Sequence, residues 1–354
     1  MPTLNDILTQ MKENHASDLH LTVGSAIRNR VNGELEPIND KKLSEEDIKE
    51  LLKEYLNNER LELLNAGKSV DFSIGITGVS RFRVNLFKQR GNIVATFRRL
   101  SYTVPSIDVL GLPETIQNLT KYKKGLILIT GGTGSGKSTT LASLIQKISN
   151  ENNNHIITIE DPIEYLYDHS KSIVNQREVG SDTQNFSDAL KGTLRQDPDV
   201  IAIGEMRDVD SMNAALTIAE TGHLVLATLH TNNASGTITR LVDAFPADKQ
   251  NIIRTTISMT LIAIVSQQLI PNNQKTLSLA AEILINNQSI KALIRENNIH
   301  QIDNYILSGS KEGMIRMDDA ILELYTKGLI SKENALNYAI NYSDLANRIN
   351  SKNI

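Results

Sequence analysis

Apolar residues at Leu4, Ile7, Leu8 and Met11 recur at helical spacing and predict a short amphipathic opening helix. The segment "SDLHLTV" that follows alternates apolar and polar positions like a strand. In "RNRVNGELEPI" the Asn32-Gly33 pair separates two extended runs, which predicts a type I′ hairpin turn. Ser44 and Asp47 are spaced for a reciprocal capping box ahead of a helix carrying Ile48, Leu51, Leu52 and Tyr55. "SVDFSIGI", "SRFRVNLFKQ" and "GNIVATFRRL" then read as three strands joined by glycine-containing turns. Residues 1–100 are expected to form one small α+β domain.

Residues 101–116, "SYTVPSIDVLGLPETI", carry two prolines and a glycine and read as a linker of the kind that acts as a hinge. From Lys124 onward the pattern changes. Apolar strands ("GLILIT", "HIITIE", "DVIAIG", "HLVLATLH") alternate with helical segments, which predicts a mostly parallel sheet covered by helices. "DKQNIIRTTISMTLIAIVSQQLI" reads as one long amphipathic helix. The core is expected to span 117–285, and residues 286–354 read as several short helices. No internal repeat is visible.

Length and composition narrow the function. The chain has 354 residues, enough for two or three domains. Its 37 Lys and Arg against 41 Asp and Glu give a net charge of −4, which predicts no global attraction to nucleic acid or to an anionic membrane. With no cysteine, disulfides and thiolate metal sites are excluded. The first twenty residues lack a basic start followed by an apolar core, and no apolar run approaches the ~20 residues needed to span a bilayer. A cytoplasmic protein is expected, reaching a membrane only through a partner.

The chemistry concentrates in "LILITGGTGSGKSTTLASLI". Gly131, four residues, then Gly136-Lys137-Ser138 make a phosphate-binding loop between an apolar strand and a helix, the context such a loop requires. Gly131, Gly132, Thr133, Gly134, Ser135, Gly136, Lys137, Ser138 and Thr139 are the nucleotide-binding candidates. Backbone N–H groups and the helix N-terminus would surround phosphate oxygens, Lys137 would reach the outer phosphates, and the Ser138 hydroxyl would ligate Mg²⁺. Two strand ends then supply acids: "TIEDPIE" gives Glu160, Asp161 and Glu164, and "DVIAIGE" gives Glu205. Ligands of parallel sheets gather at the carboxyl ends of strands, so both sets can face the phosphates. Glu205 is read as the metal-side acid, with its extra methylene compensating for the preceding glycine, and Glu164 as the group orienting the attacking water. A solvated loop charge is the competing reading for Glu160 and Asp161. His223 and His230, seven residues apart, bracket a buried strand and so do not form a metal pair. His230, beside Thr231, is placed for a γ-phosphate contact, whereas His223 reads equally as a hydrogen-bonded core histidine.

The segments "GGTGSGKSTT", "TIEDPIEY", "NQREVGSDT", "LRQDPDVIAIGEMRD" and "AETGHLVLATLHTNNA" resemble the secretion and type IV pilus motor ATPases, over nearly the whole chain. "ASDLHL", "SIKALIRENN" and "SKEGMIRMDDAI" narrow the resemblance to the pilus-retraction, twitching-motility branch. That branch lacks the four-cysteine zinc motif and extra N-terminal domain of the extension and secretion branches, and this chain has neither. Residues 289–296, "SIKALIRE", keep five of the eight positions of the retraction signature; Ile290, Leu293 and Ile294 would make a buried stripe in either case. The resemblance implies a PAS-like N-terminal domain, a RecA-like P-loop NTPase core with a helical C-terminal tail, and a homohexamer. It implies ATP and Mg²⁺ as ligands, Glu164 as general base, Glu205 as the acid of the second nucleotide motif, and His223 with His230 as a histidine motif. Arg83 and Arg98 match positions from which the family supplies arginines to the nucleotide site, in several cases across a subunit boundary; Arg81 and Arg99 lie beside them. An integral inner-membrane platform protein, and through it the pilus, is the implied partner. The implied location is cytoplasmic, docked at the inner membrane through the pilus machine.

Three other functions compete: an accessory retraction paralogue or other secretion or assembly ATPase, a RecA-like nucleic-acid motor, and a nucleotide switch that regulates without force. Only 4% of the residues are aromatic, so the sequence offers little stacking platform for nucleic acid. A small-molecule kinase is disfavoured, because the second domain precedes the phosphate loop and no acceptor lid is evident.

Overall fold

A computed structural model describes residues 2–31, 33–100 and 103–351. The chain divides into two compact units, one comprising Met1–Thr103 with Glu164–Leu166, the other Val104–Ile163 with Tyr167–Ile354.

The first unit is a six-stranded antiparallel sheet with strands β1 (Asp18–Leu21), β2 (Ala26–Val31), β3 (Glu34–Lys42), β4 (Val70–Ile76), β5 (Ser80–Gln89) and β6 (Asn92–Arg99), in the order β3-β2-β1-β6-β5-β4. Helices α1 (Leu4–Glu13), α2 (Glu45–Leu52) and α3 (Asn58–Asn65) complete it. Leu4, Ile7, Leu8 and Met11 are all buried, as their spacing predicts, and share a core with Phe82, Val84, Leu86 and Phe97. The Ser44–Asp47 capping box is present at α2. That helix stops at Leu52, however, so Tyr55 lies outside it: the Tyr55 N–H bonds to the Leu52 carbonyl in a tighter turn, and the ring stacks on Phe72. Asn32 of the expected hairpin turn lies outside the described residues; Val31 pairs with Glu34 around Gly33, whose φ is +89°.

The second unit is built on a seven-stranded sheet: β7 (Gly125–Gly131), β8 (His155–Glu160), β9 (Ile173–Glu178), β10 (Val200–Ile203), β11 (Leu224–Leu229), β12 (Leu261–Pro271) and β13 (Leu277–Ile285). Their order is β13-β12-β7-β11-β10-β8-β9, parallel from β12 to β9, with β13 antiparallel at the edge. The helices are α4 (Glu114–Asn118), α5 (Lys137–Glu151), α6 (Phe186–Thr193), α7 (Val209–Glu220), α8 (Ala234–Asp243) and α9 (Gln250–Thr260), followed by α10 (Gln288–Arg295), α11 (Ile302–Ser308), α12 (Met317–Thr326), α13 (Lys332–Asn337) and α14 (Tyr342–Ser351). Strands β7, β10 and β11 are buried throughout, because parallel strands covered on both faces need no polar side. Alternate residues feed two cores: Leu126, Leu128, Ile201 and Val225 pack beneath α6–α9, while Ile127, Ile129, Val200 and Leu226 pack against α5.

One expectation changes here. The long helix over 248–270 is instead α9 followed by β12, which pairs with β7 on one side and β13 on the other. A mostly buried run carries no period that separates helix from strand, and β12 is such a run. Within the segment read as a linker, Ile107, Leu112 and Ile116 are buried among Ile127, Leu141 and Leu144, and the Ser143 hydroxyl donates to the Pro105 carbonyl at 2.7 Å. Ser101 and Tyr102 of that segment lie outside the described residues. In α10, Ile290, Leu293 and Ile294 form the expected buried stripe, with Arg295 and Glu296 exposed.

Candidate nucleotide-binding site

Strand β7 ends at Gly131 and α5 starts at Lys137, so the glycine-rich loop spans the gap between a buried strand and a helix N-terminus. Gly131 has φ +146°, and a side chain there would run into the Ser135 hydroxyl and come within 2.5 Å of the Gln267 carbonyl. Gly136 caps α5 in the left-handed conformation, without a side-chain cap, which leaves the first-turn N–H groups for a ligand. Open space faces Gly132 and Gly134, and the buried Ser135 hydroxyl has no hydrogen-bond partner among the described residues. These are the properties of an anion cradle. Lys137 is buried, and its ammonium donates to the carbonyls of Gly131 at 3.0 Å and Gly132 at 2.8 Å. Ser138 and Thr139 are half-buried in the first turn of α5, and Thr133 is exposed at the tip of the loop. Gln267, buried on β12, donates to the Thr140 hydroxyl at 2.8 Å and ties the helix to the sheet. A cavity of about 210 Å³ adjoins the loop at Gly136 and Thr139, walled by Val109, Leu110, Leu269, Leu277 and Leu279. Its apolar walls suit the flat face of a nucleobase.

The parallel register brings the carboxyl ends of four strands to the same edge: Thr130 pairs with Leu229, and Ile203 with both Ala227 and Ile159. Gly204 has a steric cause. A Cβ there would lie 3.2 Å from the Glu160 Cα and 3.3 Å from the Ile159 carbonyl, which accepts the Gly204 N–H at 2.8 Å. A larger residue would push β8 and β10 apart by a few tenths of an ångström, which favours placing the acid one position on. Glu205 then sits in a cluster: its Oε1 lies 3.3 Å from His230 Nε2, and its Oε2 accepts from Arg207 Nε at 2.8 Å. Arg207 also donates to Asp161 at 3.2 Å, and its hydrogen bond to Glu205, reinforced by the two carboxylate charges, raises its pKa further. The sequence reading placed Asp161 among the strand-end acids but missed Arg207; the signal was "GEMRD" itself, an arginine two residues beyond the acid. Glu160 is taken up differently, accepting from the Thr158 hydroxyl at 2.6 Å and from Gln176 at 3.1 Å. Buried Glu178 accepts the Ile163 N–H at 3.0 Å and so anchors the segment after Asp161.

The remaining candidates are dispersed. Glu164 is exposed and lies outside the Glu205 cluster, in the short stretch grouped with the first unit. His223 lies at the other end of β11 from His230, where Leu224 pairs with Gly125, the first residue of β7. At ~3.3 Å per residue the two histidines are about 23 Å apart, at opposite ends of the strand they bracket, so His223 is remote from its own chain's phosphate loop. Its Nδ1 is 3.1 Å from the Thr221 hydroxyl and 3.2 Å from the Ile218 carbonyl. In the first unit, Arg83 and Arg98 are direct cross-strand partners on β5 and β6. Like charges so placed repel, and each has a carboxylate beside it: Arg98 donates to Asp18 at 2.9 Å, and Arg83 lies 3.7 Å from Asp71. Burial opposes ionisation of Asp18, yet the Arg98 guanidinium and the Ser17 hydroxyl hold its pKa below the usual carboxylate value. Both arginines are substantially exposed.

Among the described residues no group of three or more His, Asp or Glu side chains could hold a metal ion by itself. No helix among the described residues is long and apolar enough to cross a membrane.

The model of the family described as "Type II/IV secretion system protein" matches residues 1–326. The chain is 42% identical to the "Type IV pilus retractation ATPase PilT" of Pseudomonas aeruginosa, covering 94% of this chain and 96% of that protein. It is 40% identical to the "Type IV pilus ATPase PilU" of the same organism, covering 96% and 89%. Among solved structures, that of the pilus retraction motor PilT with bound ADP superposes with a TM-score of 0.91 at 44% identity, covering 98% of this chain and all of that one.

Proposed function

The chain belongs to the type II/IV secretion system protein family, and we propose that it is a ring-forming ATPase that powers type IV pilus retraction. The observation that carries this reading is the shared sheet edge, where the phosphate cradle and the Glu205–His230–Arg207 cluster end on register-aligned strands. Similarity over nearly the full length to a retraction ATPase and to an ADP-bound motor supports the biological task.

In this reading Lys137 exchanges the carbonyls of Gly131 and Gly132 for the outer phosphates of ATP, and the first-turn N–H groups of α5 hold the remaining oxygens. The Ser138 hydroxyl and Glu205 would hold Mg²⁺, which when bound neutralises charge on the phosphate oxygens. Both Glu205 oxygens already engage His230 and Arg207, so this acid acts on the metal side through water. Glu164 orients and deprotonates the attacking water. His230, held beside Glu205, meets the γ-phosphate. Arg83 and Arg98 are supplied by a neighbouring subunit of a homohexamer, and His223, remote from its own loop, serves a boundary between subunits. Hydrolysis turns the N-terminal domain about the 101–116 segment, and the motion passes to an integral inner-membrane platform protein. Nucleotide drives the cycle through its different affinities for open and closed subunit boundaries.

Deleting the gene and scoring surface pili tests the direction of force. Retraction predicts abundant pili on cells that do not twitch; bald cells would assign the chain to extension. The similarity to PilU favours one further reading, an accessory retraction ATPase. Under it, twitching weakens but persists after deletion.

A further inference from the structure

Glu282 on β13 is 6% exposed, and no step described so far uses it. Its Oε1 accepts the N–H of Ala234, the first residue of α8, at 2.7 Å. This buried side chain thus pins a helix N-terminus, and only three residues, Thr231 to Asn233, separate that terminus from His230. That short loop has a second fastening: the Thr231 and Thr237 hydroxyls are 2.6 Å apart, and Thr237 donates to the Asn233 carbonyl at 2.7 Å. A path of one hydrogen bond and a short stretch of covalent chain therefore runs from Glu282 on β13 to the histidine beside Glu205. Burial pushes Glu282 up to about 7, with Asp303 on α11 and Asp318 on α12 adding like charge against the Ala234 amide, which favours ionisation. An acid kept there against that cost is serving position.

We infer that Glu282 is a positioning residue for phosphoryl transfer, fixing the loop that sets His230 against Glu205. The inference rests on the ATPase reading and deepens it. Glu282 touches no ligand and acts through His230.

The test is steady-state ATPase kinetics of full-length Glu282→Ala, Glu282→Asp, Glu282→Gln and His230→Ala, with binding of a fluorescent ATP analogue. A misplacement of the loop by up to about 1 Å should lower kcat roughly 10- to 100-fold in Glu282→Ala and Glu282→Asp. KM and analogue affinity should stay near the wild-type values, since the phosphate cradle is untouched. Glu282→Gln keeps an acceptor for Ala234 and should restore most of the rate. Adding Glu282→Asp to His230→Ala should cost nothing further, because both act through one contact. Should Glu282→Ala fail to fold, the Asp variant, which is one methylene short, carries the test alone. Wild-type turnover in Glu282→Asp, or losses that multiply in the double variant, would overturn the inference while leaving the ATPase reading intact. Full turnover in His230→Ala would instead remove the role assigned to His230, and the inference with it.

Discussion

Replacing Gly204 by alanine adds one methyl group at the point where β10 meets β8. The new carbon would lie 3.2 Å from the Glu160 Cα and 3.3 Å from the Ile159 carbonyl oxygen, both backbone atoms of a fully paired strand. Carbon atoms rest at about 3.5–4.0 Å, so the strands must part by a few tenths of an ångström. Gly204 does not have a positive φ, so the cost is steric alone. Overpacking of this kind costs about 1–3 kcal/mol. For a unit of this size each kcal/mol lowers Tm by roughly 2–4 °C, measurable by circular dichroism. The displaced ends carry Glu205 on one strand and Glu160 with Asp161 on the other, so ATP turnover should fall about 10- to 100-fold while nucleotide still binds. Gly204→Asp, which places an acid directly after the apolar run, should be worse on both counts. If Gly204→Ala keeps both the wild-type Tm and the wild-type rate, the steric account of the shifted acid is wrong.

Glu282→Gln should flatten the pH dependence of stability. An acid whose pKa is raised from 4.5 to about 7 on folding favours the native state below pH 4.5 and loses that contribution as pH rises through 7. The loss is about 3 kcal/mol in all, read as the difference between wild type and variant in urea unfolding from pH 4.5 to 8. Lys137→Ala should abolish turnover. Arg83→Ala should do so without weakening nucleotide binding by the monomer, and undiminished hydrolysis by the Arg83 variant would remove it from the site. Gly192→Ala, inside α6 with no atom nearer than 3.9 Å to the added carbon, should stabilise the second unit by roughly 0.5–1 kcal/mol in urea unfolding.

The phosphate loop was legible because it is local: glycines, lysine and serine at fixed spacing, framed by a strand and a helix. Glu205 was legible for the same reason, as the first acid after four apolar residues. The Glu205–His230–Arg207–Asp161 cluster was only half legible, since its members come from three strand ends that the sheet register, not the spacing, brings side by side. His223 shows the limit of reading a strand by itself. The sequence places it at the far end of the strand from His230, but only the pairing of Leu224 with Gly125 shows which neighbouring strand it borders there. Strand β12 was hidden by its own burial, and Arg83 and Arg98 became cross-strand neighbours only once β5 and β6 were in register. Glu282 left no local trace, because its partner lies 48 positions before it in the chain.

The packed stretch from Pro105 to Ile116 has a mechanical consequence. With Ile107, Leu112 and Ile116 seated in the interior and Pro105 clasped by Ser143, this stretch is part of the second unit's own body and not a loose cord beside it. Whatever pulls on Pro105 therefore pulls on α5, and so on the helix that begins at the phosphate loop.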